Sequence, residues 1–316
     1  MINRTLIRVK AFKELYSRII TGSSDIKAAE RELMDAFVQT RRLFAMCALL
    51  PSALATLAED RISTQYRKFN PDKDVIEKNT RFAGNAFSKL VRSDSVFAAW
   101  CRNEGISWNE YETPLKSIYN SILKKEYFQD YTSLENPGMK EAVGLFRNIF
   151  SEELSGNEVL EDALETNNIW WTEDLEYVIN CLNERLWKMA SKGAVEIPPV
   201  FENKDDEEFA RKLVSTVLVN YDDILETVTS YITNWEAGRE VQSDLLIIVM
   251  GVAEAQTFST IPPKVTINEY VELSKHFSTP KSFSFVNGLL YTIIKDMMSD
   301  GRIQKDPRGM IGGGLD

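Results

Sequence analysis

The chain has 316 residues, 44% of them apolar and 27% charged, with a formal net charge of −10. That apolar content suffices for one sizeable core or two small ones and excludes a disordered polyelectrolyte. The negative total excludes broad, sequence-independent coating of nucleic acid, so any such contact needs a local basic patch or a partner that brings positive charge. Cys47, Cys101 and Cys181 lie far apart inside apolar helical patterns, which predicts buried structural thiols, no disulfide framework or zinc site, and a cytoplasmic protein. Residues 1–20 carry five basic side chains and no uninterrupted apolar stretch, and runs such as Leu245–Ala253 are short for a bilayer, so no membrane is expected.

Helical periodicity dominates, and the fold class is all-α. Leu6, Val9, Lys13 and Tyr16 lie on a basic first helix, and Gly22-Ser23-Ser24-Asp25 reads as its stop followed by an N-cap. From Asp25 to about Gln65 the chain is helix-rich, with Leu33, Phe37, Leu43, Phe44 and Leu54 for burial and Pro51 expected to kink or break it. Residues 70–110 read as shorter helices and loops. Asn136-Pro137-Gly138 is a turn before an amphipathic run through Val143, Phe146 and Phe150. Another helix is expected to start near Thr172 as N-cap, with Trp170 and Trp171 at its entry as packing anchors rather than base-stacking platforms.

Gly193–Glu208 contains Pro198-Pro199 and an acidic run, and the domain boundary is placed there: a helical region over 1–200, a helical domain over 205–298, and a mobile tail over 299–316. The acidic run suits the positive end of a helix dipole and needs no metal. In the second domain Phe209, Leu213 and Val217 share a face, and Ile224, Val228, Tyr231 and Trp235 continue it until Gly238. Leu245, Ile248, Val249 and Val252 form the next stripe. Thr266 and Glu269 have capping-box spacing, Thr279-Pro280 reads as N-cap plus first-turn proline, and Val286, Leu289, Leu290, Ile293, Ile294 and Met297 form the last stripe.

Catalysis has no positive support. His276 is the single histidine and sits where a helix ends, no serine occupies a nucleophile elbow, and the glycines form neither a Walker loop nor a dinucleotide fingerprint. No enzyme, cofactor, metal site or small-molecule substrate is expected.

The stretch Ile261–Phe277 (IPPKVTINEYVELSKHF), followed by Phe285-Val-Asn-Gly-Leu-Leu290, resembles the C-terminal signature of the NusB family. A proline-bearing loop, an Ile-Asn-Glu helix start, a Leu-small-Lys-x-Phe helix and a Phe-Val-Asn-Gly helix occur in order. Upstream, Asp244 follows a Gly-Arg turn, Glu254 ends the next helix, and the basic first helix carries Leu15-Tyr16. Residues from about 25 to about 200 then look like a helical insertion in the N-terminal half.

The resemblance implies a two-subdomain helical antitermination factor that binds boxA RNA of ribosomal RNA operons with the ribosomal protein NusE and helps RNA polymerase resist termination. It also implies that Arg4 and Arg8 contact RNA phosphates and that Tyr231, Lys281 and Phe285 belong to the RNA surface, Phe285 either stacking on a base or packing in the core. Tyr16 and Asp244 would face NusE. Thr5 and Val9 stand where family members often carry charge, so the basic helix is thin, and Gly288 is expected to permit close helix packing. Two other readings follow. One is a helical protein-interaction module without RNA recognition. The other is the NusB-like domain of an RNA cytosine methyltransferase, which needs an α/β cofactor domain of which these residues show no sign.

Overall fold

The computed structural model describes residues 1–232, 242–311 and 315, and among them no strand occurs. Fourteen α-helices are described: α1 (Arg4–Thr21), α2 (Ile26–Tyr66), α3 (Lys73–Ala83), α4 (Ala86–Ser93), α5 (Ser95–Asn103), α6 (Glu112–Ile122), α7 (Glu126–Ser133), α8 (Met139–Ile149), α9 (Glu158–Asn167), α10 (Trp171–Lys192), α11 (Lys204–Ser230), α12 (Gln242–Thr257), α13 (Pro263–Phe277) and α14 (Ser282–Ser299). The all-α expectation holds.

Two compact units result. One comprises Met1 and Phe37–Val200, the other Ile2–Ala36 and Phe201–Asp316. The first helix therefore groups with the C-terminal segment, where the sequence reading had assigned it to a region spanning 1–200. Its ends are set locally. Asn3 accepts the Leu6 amide at 2.9 Å, and Gly22, at φ 68°, turns back so that its N–H reaches Arg18 O and Ile19 O. Asp25 then caps α2 by accepting the Ala28 amide at 3.0 Å.

Helix α2 is continuous for 41 residues with Pro51 inside it. The expected break does not occur, and two side chains of the first unit bond to backbone carbonyls near the proline. Trp108 Nε1 donates to Met46 O at 2.9 Å and Ser88 Oγ to Pro51 O at 2.8 Å, while Leu50 and Leu54 are fully buried. This helix is long and apolar enough to cross a membrane by length and composition, where no such segment was expected, and 61% of its apolar window is buried.

In the first unit, Phe82, Phe87, Phe128, Phe146 and Phe150 form one aromatic cluster with ring centroids 5.4–6.3 Å apart, and α8 passes into a π-helical turn over Phe150–Leu154. Helix α10 begins at Trp171, one residue before the Thr172 expected to cap it. Trp171 is a packing anchor: it is buried and donates from Nε1 to Gln39 O at 3.0 Å. All three cysteines are free and buried, and burial pushes the Cys47 and Cys101 thiols up to about 12.

In the second unit α12 is the centre. Every residue from Leu246 to Ala255 is buried, and α1, α11, α13 and α14 pack against it. Gly251 permits the closest approach, since a Cβ there would lie 2.7 Å from Leu290 Cδ2 and 3.2 Å from Tyr270 Cδ2. Leu213, Ile224, Val249, Leu289 and Ile293 are buried as their spacing predicts. Helix α11 carries both of its expected stripes across an irregular Asn220 (φ −112°, ψ 17°); Trp235 and Gly238 lie outside the described residues.

Three boundary expectations change. Helix α13 starts at Pro263 with Pro262 as N-cap, so Thr266 and Glu269 are interior residues rather than a capping box. Helix α14 starts at Ser282 instead of after Thr279. Part of the expected mobile tail is packed: Ile303 is buried, and Lys305 Nζ donates to Ala255 O and Phe258 O, both at 2.8 Å, closing the C-terminal end of α12.

Candidate nucleic-acid interface

The basic helix α1 divides into an inner and an outer arginine. Arg8 lies inside, 3% exposed, and grips Glu254 through two hydrogen bonds, Nε to Oε2 at 2.7 Å and Nη2 to Oε1 at 2.8 Å. Its Nη1 lies 3.1 Å from Glu269 Oε2. Glu254 is completely buried and also accepts from Thr266 Oγ1 at 2.9 Å and from the Tyr270 hydroxyl at 3.0 Å. Burial works against the Arg8 charge, but the hydrogen bonds and field of Glu254 prevail and hold the guanidinium above its ordinary value. Burial and the Glu254 charge push the Tyr270 phenol well up, keeping it a donor. The expected phosphate contact of Arg8 is thereby corrected. Its guanidinium is engaged by two carboxylates and, though it borders the cleft that Arg4 lines, only 3% of the residue is exposed.

Arg4 is the outer one. Its side chain is 38% exposed, pairs with Asp206 at 2.9 Å and stacks 5.0 Å from the Phe209 ring. It lines a cleft of about 610 Å³ that also takes in Lys212, Arg308, Phe258 and Glu269. Lys212 and Arg308 are exposed, and Lys212 Nζ sits 5.7 Å from the Phe258 ring.

Lys281 and Phe285 fall together at the start of α14. With Gly288, Thr292 and Lys295 they recur at helical spacing and share one face about 21 Å long. Lys281, Gly288, Thr292 and Lys295 are exposed and Phe285 is half-buried. A Cβ at Gly288 would meet nothing within 4 Å, so this glycine opens the face; the close helix packing expected of it is supplied by Gly251 instead. Tyr231 caps the end of α11 and its hydroxyl reaches Asp296 at 3.2 Å, near the far end of α14. It stands at the opposite end of α11 from Asp206, the partner of Arg4, so the five RNA candidates do not converge on one point.

Asp244 does not face solvent. It is 3% exposed in the first turn of α12, and its Oδ2 accepts from Ser282 Oγ at 2.7 Å while Oδ1 has no hydrogen-bond partner among the described residues. Ser282 in turn meets Thr279 and Ser278 at 2.8 and 3.0 Å. Asp244 thus ties down the turn that carries Lys281, and the surface contact expected of it is corrected to an internal one. Tyr16 is half-buried, stacked on Phe12 at 5.7 Å, and Phe12 packs on Phe277 at 4.9 Å. Sequence reasoning missed the partner of Arg8, although Glu254 as the one acid in the run Leu245–Ala255 was a signal that a buried cation must come from elsewhere. It also missed Lys212 and Arg308, which nothing local distinguishes from other surface cations. No group of three or more metal-ligating side chains occurs among the described residues.

Five helices closed on a buried arginine–glutamate pair, with cations and aromatics on the outside of α14, define an all-α bundle. The family model described as the NusB family matches residues 199–295, starting two residues before the second unit's C-terminal segment. The transcription antitermination protein NusB of Salinibacter ruber is 34% identical over 114 residues, covering 36% of this chain and 71% of that protein. Those of Chloroherpeton thalassium and Finegoldia magna are 33% identical over 135 residues and 39% over 93, covering 63% and 68% of their lengths. No solved structure matches the chain significantly. The chain belongs to the NusB family.

Proposed function

We propose that this protein is a cytoplasmic, non-enzymatic transcription antitermination factor that binds boxA-type RNA of ribosomal RNA operons together with the ribosomal protein NusE, in the antitermination complex on RNA polymerase. The relatives named above are transcription antitermination proteins, which supports the role. The observation that carries the RNA part is the exposed face of α14, where Lys281 and Lys295 flank Phe285 and the side-chain-free Gly288 in a protein of net charge −10. Cations at either end of such a face hold phosphates, and the aromatic and the open glycine leave room for unpaired bases. Arg4 and Tyr231 extend the RNA surface in this reading. Tyr16, with the cluster of Phe12 and Phe277 beneath it, faces NusE, and Asp244 acts on both surfaces by fixing the Ser278–Ser282 turn.

Calorimetry of the full chain with NusE, and of the pair with boxA RNA, tests this. Saturable binding in both titrations is expected, weakened by Tyr16→Asp in the first and by Lys281→Ala in the second. Absence of NusE binding would overturn the assignment. A second reading, a protein-interaction module without RNA recognition, draws on the internal pairing of α1 cations: Arg8 with Glu254, Arg4 with Asp206 and Arg18 with Glu14. NusE binding with no RNA binding by the pair would select it.

A further inference from the structure

The end of α2 carries a second constellation, in the unit outside the family match. Tyr66 is 67% exposed and Phe69 107%, so both rings stand in water, which large apolar groups leave where they can. Between and beside them Arg67, Lys68 and Lys73 are exposed and carry no ion pair among the described residues. The neighbouring anions are otherwise occupied. Asp74 pairs with Lys78 at 2.9 Å, Glu77 with Arg81 at 2.6 Å and Glu59 with Arg92 at 2.6 Å, leaving Asp72, which caps the Val75 amide at 3.2 Å, and Asp60, a turn and a half back on α2, against the three cations.

The loop is held in shape. Lys68 N–H donates to Gln65 O at 3.0 Å, and the buried Gln65 accepts the Asp72 amide through Oε1 at 3.4 Å. A helix C-terminus favours lysine and arginine through its dipole, which accounts for the cations alone. It does not account for two aromatic rings held out between them. Cations that hold a phosphate backbone, interleaved with rings that stack on unpaired bases, are the pattern of single-strand recognition.

We propose that the loop Tyr66–Lys73 is a second RNA-binding site, taking single-stranded RNA without sequence preference by stacking bases on Tyr66 and Phe69 against Arg67, Lys68 and Lys73. It works locally against the acidic total, and it stands independently of the boxA assignment.

The test is fluorescence anisotropy of a labelled oligouridylate 12-mer with the full chain across a salt series. Tyr66→Ala with Phe69→Ala should weaken binding at least about fivefold for each stacked base with the salt slope unchanged. Arg67→Gln with Lys68→Gln should lower the slope of log affinity against log salt by about 1.4, at about 0.7 for each lost contact. All four side chains are exposed, so equal melting temperatures serve as the folding control. Lys281→Ala with Phe285→Ala, measured on boxA RNA, reports separately on the α14 face. Parental affinity and slope in both loop variants would overturn the proposal. So would sedimentation showing that the loop variants abolish self-association while RNA affinity stays parental, which would make the loop a contact between copies of this chain.

Discussion

Arg8 and Glu254, 246 positions apart in sequence, face each other as a two-fold hydrogen-bonded ion pair in the interior of the second unit. Removing either partner strands a charge that burial has taken out of water. Glu254→Ala should therefore cost about 3–5 kcal/mol in chemical denaturation, more than a typical surface substitution. Replacing both partners with methionine should not restore the loss, because the Thr266 and Tyr270 hydroxyls would keep their burial and lose their acceptor. Parental stability of Glu254→Ala would show that the pair does not hold the core.

Salt dependence separates the two arginines of α1. If the RNA reading holds, Arg4→Ala and Lys281→Ala should each lower the slope of log affinity for boxA RNA against log salt by about 0.7. Arg8→Ala should leave that slope unchanged while lowering the melting temperature of the RNA-free protein, since its guanidinium already meets Glu254 and Glu269. A slope change in Arg8→Ala without loss of stability would contradict its burial.

The two helical glycines should respond in opposite senses. Gly251→Ala drives a methyl group to within 2.7 Å of Leu290 and should destabilise by about 1–3 kcal/mol. Gly288→Ala has open space and should stabilise by about 0.5–1 kcal/mol, the ordinary gain for alanine in an exposed helix. If α14 contacts RNA, that same stabilised variant should bind it more weakly. Thermal melts and anisotropy on one pair of proteins check all three outcomes.

Lys305 gives a pH signature. Burial, opposed by Glu254 and Asp306, pushes its ammonium down to about 8 in the folded protein. Between that value and the ordinary lysine range of about 10.4 the unfolded chain holds the proton that the folded chain has released, so stability should rise with pH across that window. Below it both states are protonated and the folded state bears the desolvation. Relative to Lys305→Met, the parental protein should therefore gain stability from pH 8 to 10, measured by denaturant titration, and a flat difference would contradict the shift.

The helical class and much of the local punctuation were legible because they depend on neighbours in the chain. Gly22 and Asp25 end one helix and begin the next through backbone groups within five residues. The stripe from Val286 to Met297 needs nothing beyond its own period. What failed depended on distant partners. Helix α2 continues through Pro51 with Trp108 and Ser88 bonded to carbonyls beside it, and no window around residue 51 contains those residues. Arg8 and Asp244 looked like surface charges because their partners, Glu254 and Ser282, arrive by tertiary packing. Burial was thus legible where it follows from helical phase, as along α14, and not where a charge is matched across the fold.

The three sequestered thiols leave the outside of the protein chemically quiet toward maleimides. A cysteine installed at Ser284, exposed on the first turn of α14, would then react far faster than Cys47, Cys101 or Cys181. One environment-sensitive dye at that position would turn the arrival of RNA at the α14 face into an optical signal, with all three native cysteines left in place.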